Sequence, residues 1–526
     1  MPKEAKSAAT FPERKKAAMY AKMDVWQARI ARLLVILMLC FQPLFITPNR
    51  YLLLTGDKYR FFLVYMCIIL AAALIVWIAR MTRTPPLRPR GKLTIPDWAV
   101  LGFASVTIVS AIFSPFSGEA NVWVGIPERF DGAITQLLYV AAFFVISRWY
   151  SPKIRDFVFF GFSAILVALI GILQFYGMDF LGLWPYDDSR FVGIDSYNIW
   201  FRSTLGNVNI VSTYTCVAIL LSGFLFVRTK SKWRCLWLAA SALNFWLMEI
   251  ARSDSGKVGL IVAMVLAIPF IVENMKSLGK TMILGSTWLA AYTVQMLLYD
   301  VPILQIRTSG SLLPYALAAI VLLAVGLVLA IKGKDSDPKA PVKWKLGVIL
   351  IAVCIIAGFA GLEILGRTDP ETPRYDFVYE MREVMHGNIR DEFGSARVYI
   401  WRNALEVFPN NPIIGSGPDT FYNAFPSEAH GYMGQDYQNA HNEYLQILIC
   451  QGILGLLCYL VFLGGILPKP IRAAFRNPLL VAALVAFVGY CGQAFFNLSL
   501  PITSQLLWVL AGMLASKRNH ELAAME

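Results

Sequence analysis

EYLQILICQGILGLLCYLVFLGGIL, residues 443–467, runs for 25 positions with Glu443 as its only charged side chain. About 20 apolar residues in a helix cross the hydrocarbon core of a bilayer. Working outward from this stretch, runs of the same character recur at 30–47, 61–79, 97–113, 132–147, 156–176, 207–227, 235–250, 258–273, 281–298, 312–331, 346–365, 478–496 and 500–515. They predict an all-α polytopic membrane protein with about fourteen transmembrane helices (12–14). Composition excludes the main alternative. Only 15% of the 526 residues are charged and 57% are hydrophobic, with mean hydropathy +0.57. A soluble chain carries about 25% charged residues.

The charge distribution sets an orientation. With the N-terminus inside and the runs alternating, the inner segments hold 32 of the 47 Lys and Arg, and 18 of the 20 lysines. Inner connections from Arg80 to Lys92, Arg148 to Arg155, Arg228 to Arg234, Lys276 to Lys280, Lys332 to Lys345 and Lys469 to Arg476 are all basic. This positive-inside pattern predicts cytoplasmic N- and C-termini and a multi-pass protein of the cytoplasmic (inner or plasma) membrane. The net charge of +13 is then membrane topology and implies no nucleic-acid partner. The expected organisation is a basic arm (1–29), helices 1–11 (30–365), an extracytoplasmic loop (366–442), helices 12–14 (443–515) and a cytoplasmic tail (516–526). The first run, behind its basic arm, reads as a retained span rather than a cleaved signal.

Residues 366–442, between the eleventh and twelfth spans, are too long and polar for a connector. Phe377, Met381, Val384 and Met385 fit one helix face. Val398, Trp401, Leu405 and Phe408 fit another. Asn411-Pro412 stops that helix, and Gly415-Ser416-Gly417-Pro418 makes a turn. The segment reads as a helical cap. A shorter outer segment (177–206) contains Trp184, Tyr186, Phe191, Tyr197, Trp200 and Phe201, the composition of an interfacial aromatic belt. The inner connections are too short for a nucleotide-sugar-binding domain. Asp335-Ser336-Asp337 reads as a solvated linker among lysines and prolines. No Walker A loop or GxGxxG fingerprint occurs. The eight cysteines lie in or beside apolar runs without CxxC spacing, which suits small buried residues and not a metal site.

Chemistry concentrates in the outer segments. Of four histidines, His386, His430 and His441 fall in the long loop. His441 sits where the chain re-enters the membrane, and the spacing places it in the first turn of span 12. There the positive end of the helix dipole favours a neutral ring, suited to general-base work. A surface histidine at a helix start fits the same position. The cap carries six arginines and no lysine. Arginine grips phosphate bidentately, and Arg397, Arg252 and Arg202 lie at the membrane boundary, where charge is expensive. Structural pairing, for instance Arg252 with Asp254, is the competing reading. A neutral base beside outward arginines suggests an anionic lipid-linked substrate.

Here the sequence resembles a known family. His441-Asn442, nine residues, then Gly452 and Gly455 match the His-Asn-x9-Gly-x-x-Gly pattern of bacterial O-antigen ligases and the related O-antigen polymerases. Arg397-Val398-Tyr399-Ile400-Trp401 followed by Asn411-Pro412-Ile413-Ile414-Gly415-Ser416-Gly417-Pro418 resembles the stretch before it. Arg129-Phe130-Asp131-Gly132 and Ser203-Thr204-Leu205-Gly206-Asn207 resemble further segments common in its members. The resemblance covers about residues 121–467. It implies a GT-C-like helical fold and transfer of a glycan from undecaprenyl pyrophosphate to a glycan, lipid or protein hydroxyl, with no cofactor or metal. It makes His441 the base and Arg397 a pyrophosphate ligand, with Asn442 and Glu443 in support. The family's second arginine sits in Ser-Arg-Gly. Here Asp254 follows Ser253, so that role falls to Arg252 or Arg202. Ligase and polymerase readings both remain. A flippase or exporter is disfavoured because no internal repeat is evident and the ionisable candidates cluster at the outer boundary.

Overall fold

The computed structural model describes residues 11–82, 92–184, 201–299, 312–334, 344–367, 377–434, 436–475 and 477–516. Asp335-Ser336-Asp337, Tyr186, Phe191, Tyr197 and Trp200 lie outside them. The structure is a helical bundle of α1 (Phe11–Ile36), α2 (Leu54–Met81), α3 (Ile95–Ile112), α4 (Ala133–Trp149), α5 (Ile154–Phe175), α6 (Val208–Arg228), α7 (Arg234–Ile250), α8 (Asp254–Leu266), α9 (Met275–Tyr299), α10 (Leu313–Lys332) and α11 (Trp344–Leu365). Two cap helices follow, α12 (Phe377–Met385) and α13 (Phe393–Val407). The bundle closes with α14 (Glu443–Ile466), α15 (Pro478–Gln493) and α16 (Gln505–Ala515). Phe201–Arg202 and Gly206–Asn207 form a short antiparallel hairpin ahead of α6.

Each of the fourteen apolar runs falls on a helix. Among the described residues, nine helices are long and apolar enough to cross a membrane. Asparagines start several of them. Asn207 accepts from the Asn209 N–H at 2.9 Å, and Asn477 from the Leu479 N–H at 3.0 Å. Such caps satisfy N–H groups that have no partner within the helix.

Helix α6 is the axis of the bundle, enclosed along its whole apolar length by α7, α8, α9 and α15. At the periphery, none of the apolar window of α11 and 11% of that of α10 is buried, at mean hydropathies of 2.7 and 2.6. Ile331, Ile356 and Ile364 are each at least two-thirds exposed. An aqueous protein does not leave such faces open, whereas lipid covers them without penalty.

Ion pairs gather at one end of the bundle, here termed the base. They are Arg32–Asp156 at 3.1 Å, Arg80–Asp24 at 2.8 Å, Arg148–Asp97 at 2.7 Å and Arg228–Glu273. The opposite, cap end is joined by loop contacts. Ser114 Oγ donates to the Ser416 carbonyl, Tyr51 Oη to the Ser203 carbonyl, and Asn497 Nδ2 to the Asn209 carbonyl.

Three local expectations are corrected. Trp184 is no interfacial residue; it is buried with Tyr51, Leu54 and Leu183. The buried stripe of α13 is Ala396, Ile400 and Ala404, with Trp401 and Phe408 at its edge. Leu405 points out, 54% exposed, because small alanines admit the closest packing on the other face. The stretch Gly415–Pro418 is more than a surface turn, because it enters a break in α14. There Gly452 takes φ 68°, ψ −172°. Ile453 and Leu454 N–H groups donate to the Pro412 and Ile413 carbonyls at 2.9 and 3.2 Å. The carbonyls they leave, of Ile449 and Cys450, accept from Ser416 and Gly417 N–H at 2.9 Å each. Every backbone group freed by the break is thus paired again, the condition for a discontinuous helix at membrane depth. A Cβ on Gly452 would lie 2.3 Å from the Ile413 oxygen. The Gly452 of the motif is therefore demanded by packing.

Candidate active site at the cap end

The site is built where α13 meets the start of α14. Asn442 caps α14, accepting from Tyr444 and Leu445 N–H at 3.0 Å each. His441 therefore precedes the cap and does not occupy the first helical turn as the spacing suggested. It is half-buried with a left-handed backbone, φ 46°. Its neighbours fix it there. The His441 N–H donates to Asn439 Oδ1 at 2.9 Å, and the Ala440 N–H to Gln446 Oε1 at 2.9 Å. Trp401 Nε1 donates to the Ala440 carbonyl at 2.9 Å, tying α13 to the residue before the histidine. A non-glycine residue held left-handed costs about 1–3 kcal/mol and persists only where its surroundings over-determine it.

Arg397 lies four residues before Trp401, on the same face of α13. The chain reaches it through Gly394, Ser395 and Ala396, all left-handed. Arg397 Nη1 donates to the Gly394 carbonyl, while its Nε is buried without a partner. Among the described residues it forms no ion pair with a carboxylate. Burial pulls its guanidinium pKa down, against the opposing pull of Asp254 and Glu380. Burial first, and then Arg397 and Arg129, bring the His441 imidazole down to about 3. The ring is neutral at any physiological pH, and its Nδ1 is buried without a hydrogen-bond partner.

The other candidates separate clearly. Arg252 is exposed at the α7–α8 junction with φ 54°. Its anticipated pair with Asp254 does not form. Asp254 faces Lys257 at 3.4 Å, and Lys257 also meets Glu249 at 3.3 Å. Arg202 is 1% exposed and stacks over the Phe175 ring at 4.8 Å, so it sits inside the fold and not at the boundary surface. Glu443 is buried and accepts from Tyr459 Oη and Tyr490 Oη. It anchors α14 to α15 from below His441. His386 Nε2 is 2.8 Å from Glu363, and His430 packs against Tyr422 and Phe425. Of the three loop histidines, His441 is the one shown within electrostatic reach of Arg397.

Sequence reasoning missed two features. Asn497 Nδ2 donates to Thr213 Oγ1 at 2.8 Å, and Ser253 Oγ to Asn209 Oδ1 at 2.9 Å, knotting together α6, α8 and the end of α15. Arg129 Nε donates to Asp419 Oδ1 at 2.7 Å, both side chains nearly fully buried. The Arg129–Gly132 segment was visible as a motif, but its partner 290 residues away was not.

Residues 203–460 match a family model described as O-antigen ligase. No curated protein matches the chain. The matched segment runs from the hairpin before α6 to the broken helix α14, and so contains His441, Arg397 and Arg252. The chain is a helical membrane protein whose residues 203–460 are similar to the O-antigen ligase family.

Proposed function

We propose that the protein transfers a glycan from undecaprenyl pyrophosphate to an acceptor hydroxyl at the outer face of the cytoplasmic membrane, with the cap end outside and both termini inside. The observation that carries this reading is a neutral, strained His441 within electrostatic reach of Arg397, a half-buried arginine that forms no ion pair with a carboxylate among the described residues. The family similarity supports the reaction class, and the positive-inside distribution supports the orientation.

In this mechanism His441 takes the acceptor O–H proton as the oxygen attacks the anomeric carbon. The new C–O bond forms as the bond to pyrophosphate breaks, inverting that carbon. Undecaprenyl pyrophosphate departs with the electron pair. It is already a good leaving group, so arginine hydrogen bonds are sufficient to stabilise it. Arg397 is the principal phosphate ligand, and Arg252 at the exposed lip is the second. Asn442 and Glu443 position the base through the cap and the tyrosine anchors. Arg202 serves the fold. The donor also tunes the base. Unliganded, the positive charge of Arg397 suppresses imidazole basicity. A bound diphosphate offsets that charge and raises the basicity of the ring, while burial continues to hold it below the ordinary imidazole range. Donor binding thus precedes proton transfer.

Deleting the gene in its host and measuring the chain length of undecaprenyl-linked glycans tests this reading. Accumulation of long lipid-linked chains identifies a ligase. Accumulation of single repeats identifies a polymerase. An unchanged lipid-linked pool would refute the transfer reading.

A further inference from the structure

Arg129 is a further guanidinium of the cap end, and its surroundings differ from those of a simple strut. Its side chain is 4% exposed. Asp419 engages Nε, and the second Asp419 oxygen accepts from the Ile126 N–H at 2.8 Å. The carboxylate is thereby satisfied and the guanidinium held in one orientation. Yet Nη1 is buried with no partner. An unsatisfied buried donor costs about 1–3 kcal/mol. The backbone on each side is strained as well. Glu128 and Phe130 have φ 71° and 56°, and Asp419 has φ 58°. Such outliers concentrate where a fold over-determines a functional group. Arg129 also lies within electrostatic reach of His441, as Arg397 does.

We propose that Arg129 is a further ligand of the donor diphosphate, its free Nη1 donating to a phosphate oxygen beside Arg397. This rests on the reading of the donor as a polyprenyl pyrophosphate. Asp419 and Asp131, both near Arg129, offset its charge, so it contributes little long-range attraction. It supplies a fixed donor instead. Two separate guanidinium donors, from Arg129 and Arg397, favour a ligand with two phosphates over a ligand with one.

The test uses purified full-length protein and two probes, undecaprenyl pyrophosphate and undecaprenyl monophosphate, with thermal unfolding measured alongside. The double variant Arg129→Gln/Asp419→Asn removes both members of the ion pair, so that the Asp419 carboxylate is not left behind. It is expected to unfold near the wild-type temperature, to bind the pyrophosphate at least about tenfold more weakly, and to keep monophosphate binding within about threefold, one lost charge-assisted hydrogen bond being worth about 1.5–3 kcal/mol. Wild-type pyrophosphate affinity in the folded double variant overturns the proposal. If the double variant does not fold, Arg129→Lys decides by the same criterion, since it keeps the Asp419 pair and loses the planar fork. Arg397→Gln separates the two levels of inference. Weakened binding there with unchanged binding in the Arg129 variants refutes the role of Arg129 and leaves the donor assignment standing. A wild-type protein that binds neither lipid refutes both.

Discussion

The two ends of the bundle use arginine differently. At the base, Arg32, Arg80, Arg148 and Arg228 each meet an acid. At the cap end Arg129, Arg382 and Arg402 meet acids too, but Arg397 and Arg252 meet none among the described residues. The backbone divides in the same sense. Of the ten non-glycine residues with positive φ among the described residues, from Arg50 to His441, none lies in a base-end connection; Ser395 and Ala396 bend the start of α13. Paired charge on relaxed helix ends holds a fold together. Unpaired charge on strained loops loses stability unless a ligand completes it. The comparison singles out Arg397 and Arg252 as arginines held for a substrate, while Arg129 is marked by its unpartnered Nη1 and not by a missing acid.

The largest effect that would sharpen this contrast is at the cap-end histidine. His441→Ala removes the proton acceptor, and the transfer rate should fall about 10²–10⁴-fold, the usual range for a general base. The check is initial rate in membranes containing equal amounts of protein. Arg397→Gln should lower transfer about 10²–10³-fold by removing a donor to the departing pyrophosphate. It should also move the pH profile. Wild-type transfer at subsaturating donor should stay flat as pH falls through 6.5, because the free-enzyme imidazole titrates near 3. Without the Arg397 charge the acid limb should shift upward in pH. The same depressed value has a stability consequence. His441 is neutral when folded and protonated near 6.5 when unfolded, so its contribution is present above pH 6.5 and lost as pH falls toward 3.

Asn442→Ala should have a smaller effect. It removes the α14 cap, costing about 1 kcal/mol in unfolding experiments, and loosens the His441 backbone, so transfer should fall several-fold while donor affinity is kept. Least of all, Arg80→Gln breaks a base-end pair with Asp24 that is partly exposed. It should cost below about 1 kcal/mol and leave the transfer rate unchanged. A large activity loss there would break the comparison between the ends.

Much of this was legible in the sequence, for definite reasons. Hydropathy alone located every helix of the bundle, because a lipid-facing helix such as α11 must be apolar along its length. His441 and Arg397 were legible because short-range patterns place them beside a helix start and within a helix. What the sequence hid was long-range or local geometry. The Arg129–Asp419 pair spans 290 residues, and no periodicity records it. The insertion of residues 412–417 at Gly452 reads, in one dimension, as an uninterrupted span beside an ordinary turn. Arg202 and Arg252 look alike at a predicted boundary, yet one is enclosed against Phe175 and the other is exposed. The closest packing in α13 falls on alanines, which carry little hydrophobic signal.

The most direct test of the central claim is complementation of the gene deletion by His441→Ala at wild-type membrane levels, read as the pool of undecaprenyl-linked glycan, with Arg80→Gln as the base-end counterpart. The account predicts that His441→Ala leaves the lipid-linked glycan accumulated as in the deletion, while Arg80→Gln restores the wild-type pool. Restoration by His441→Ala would contradict it.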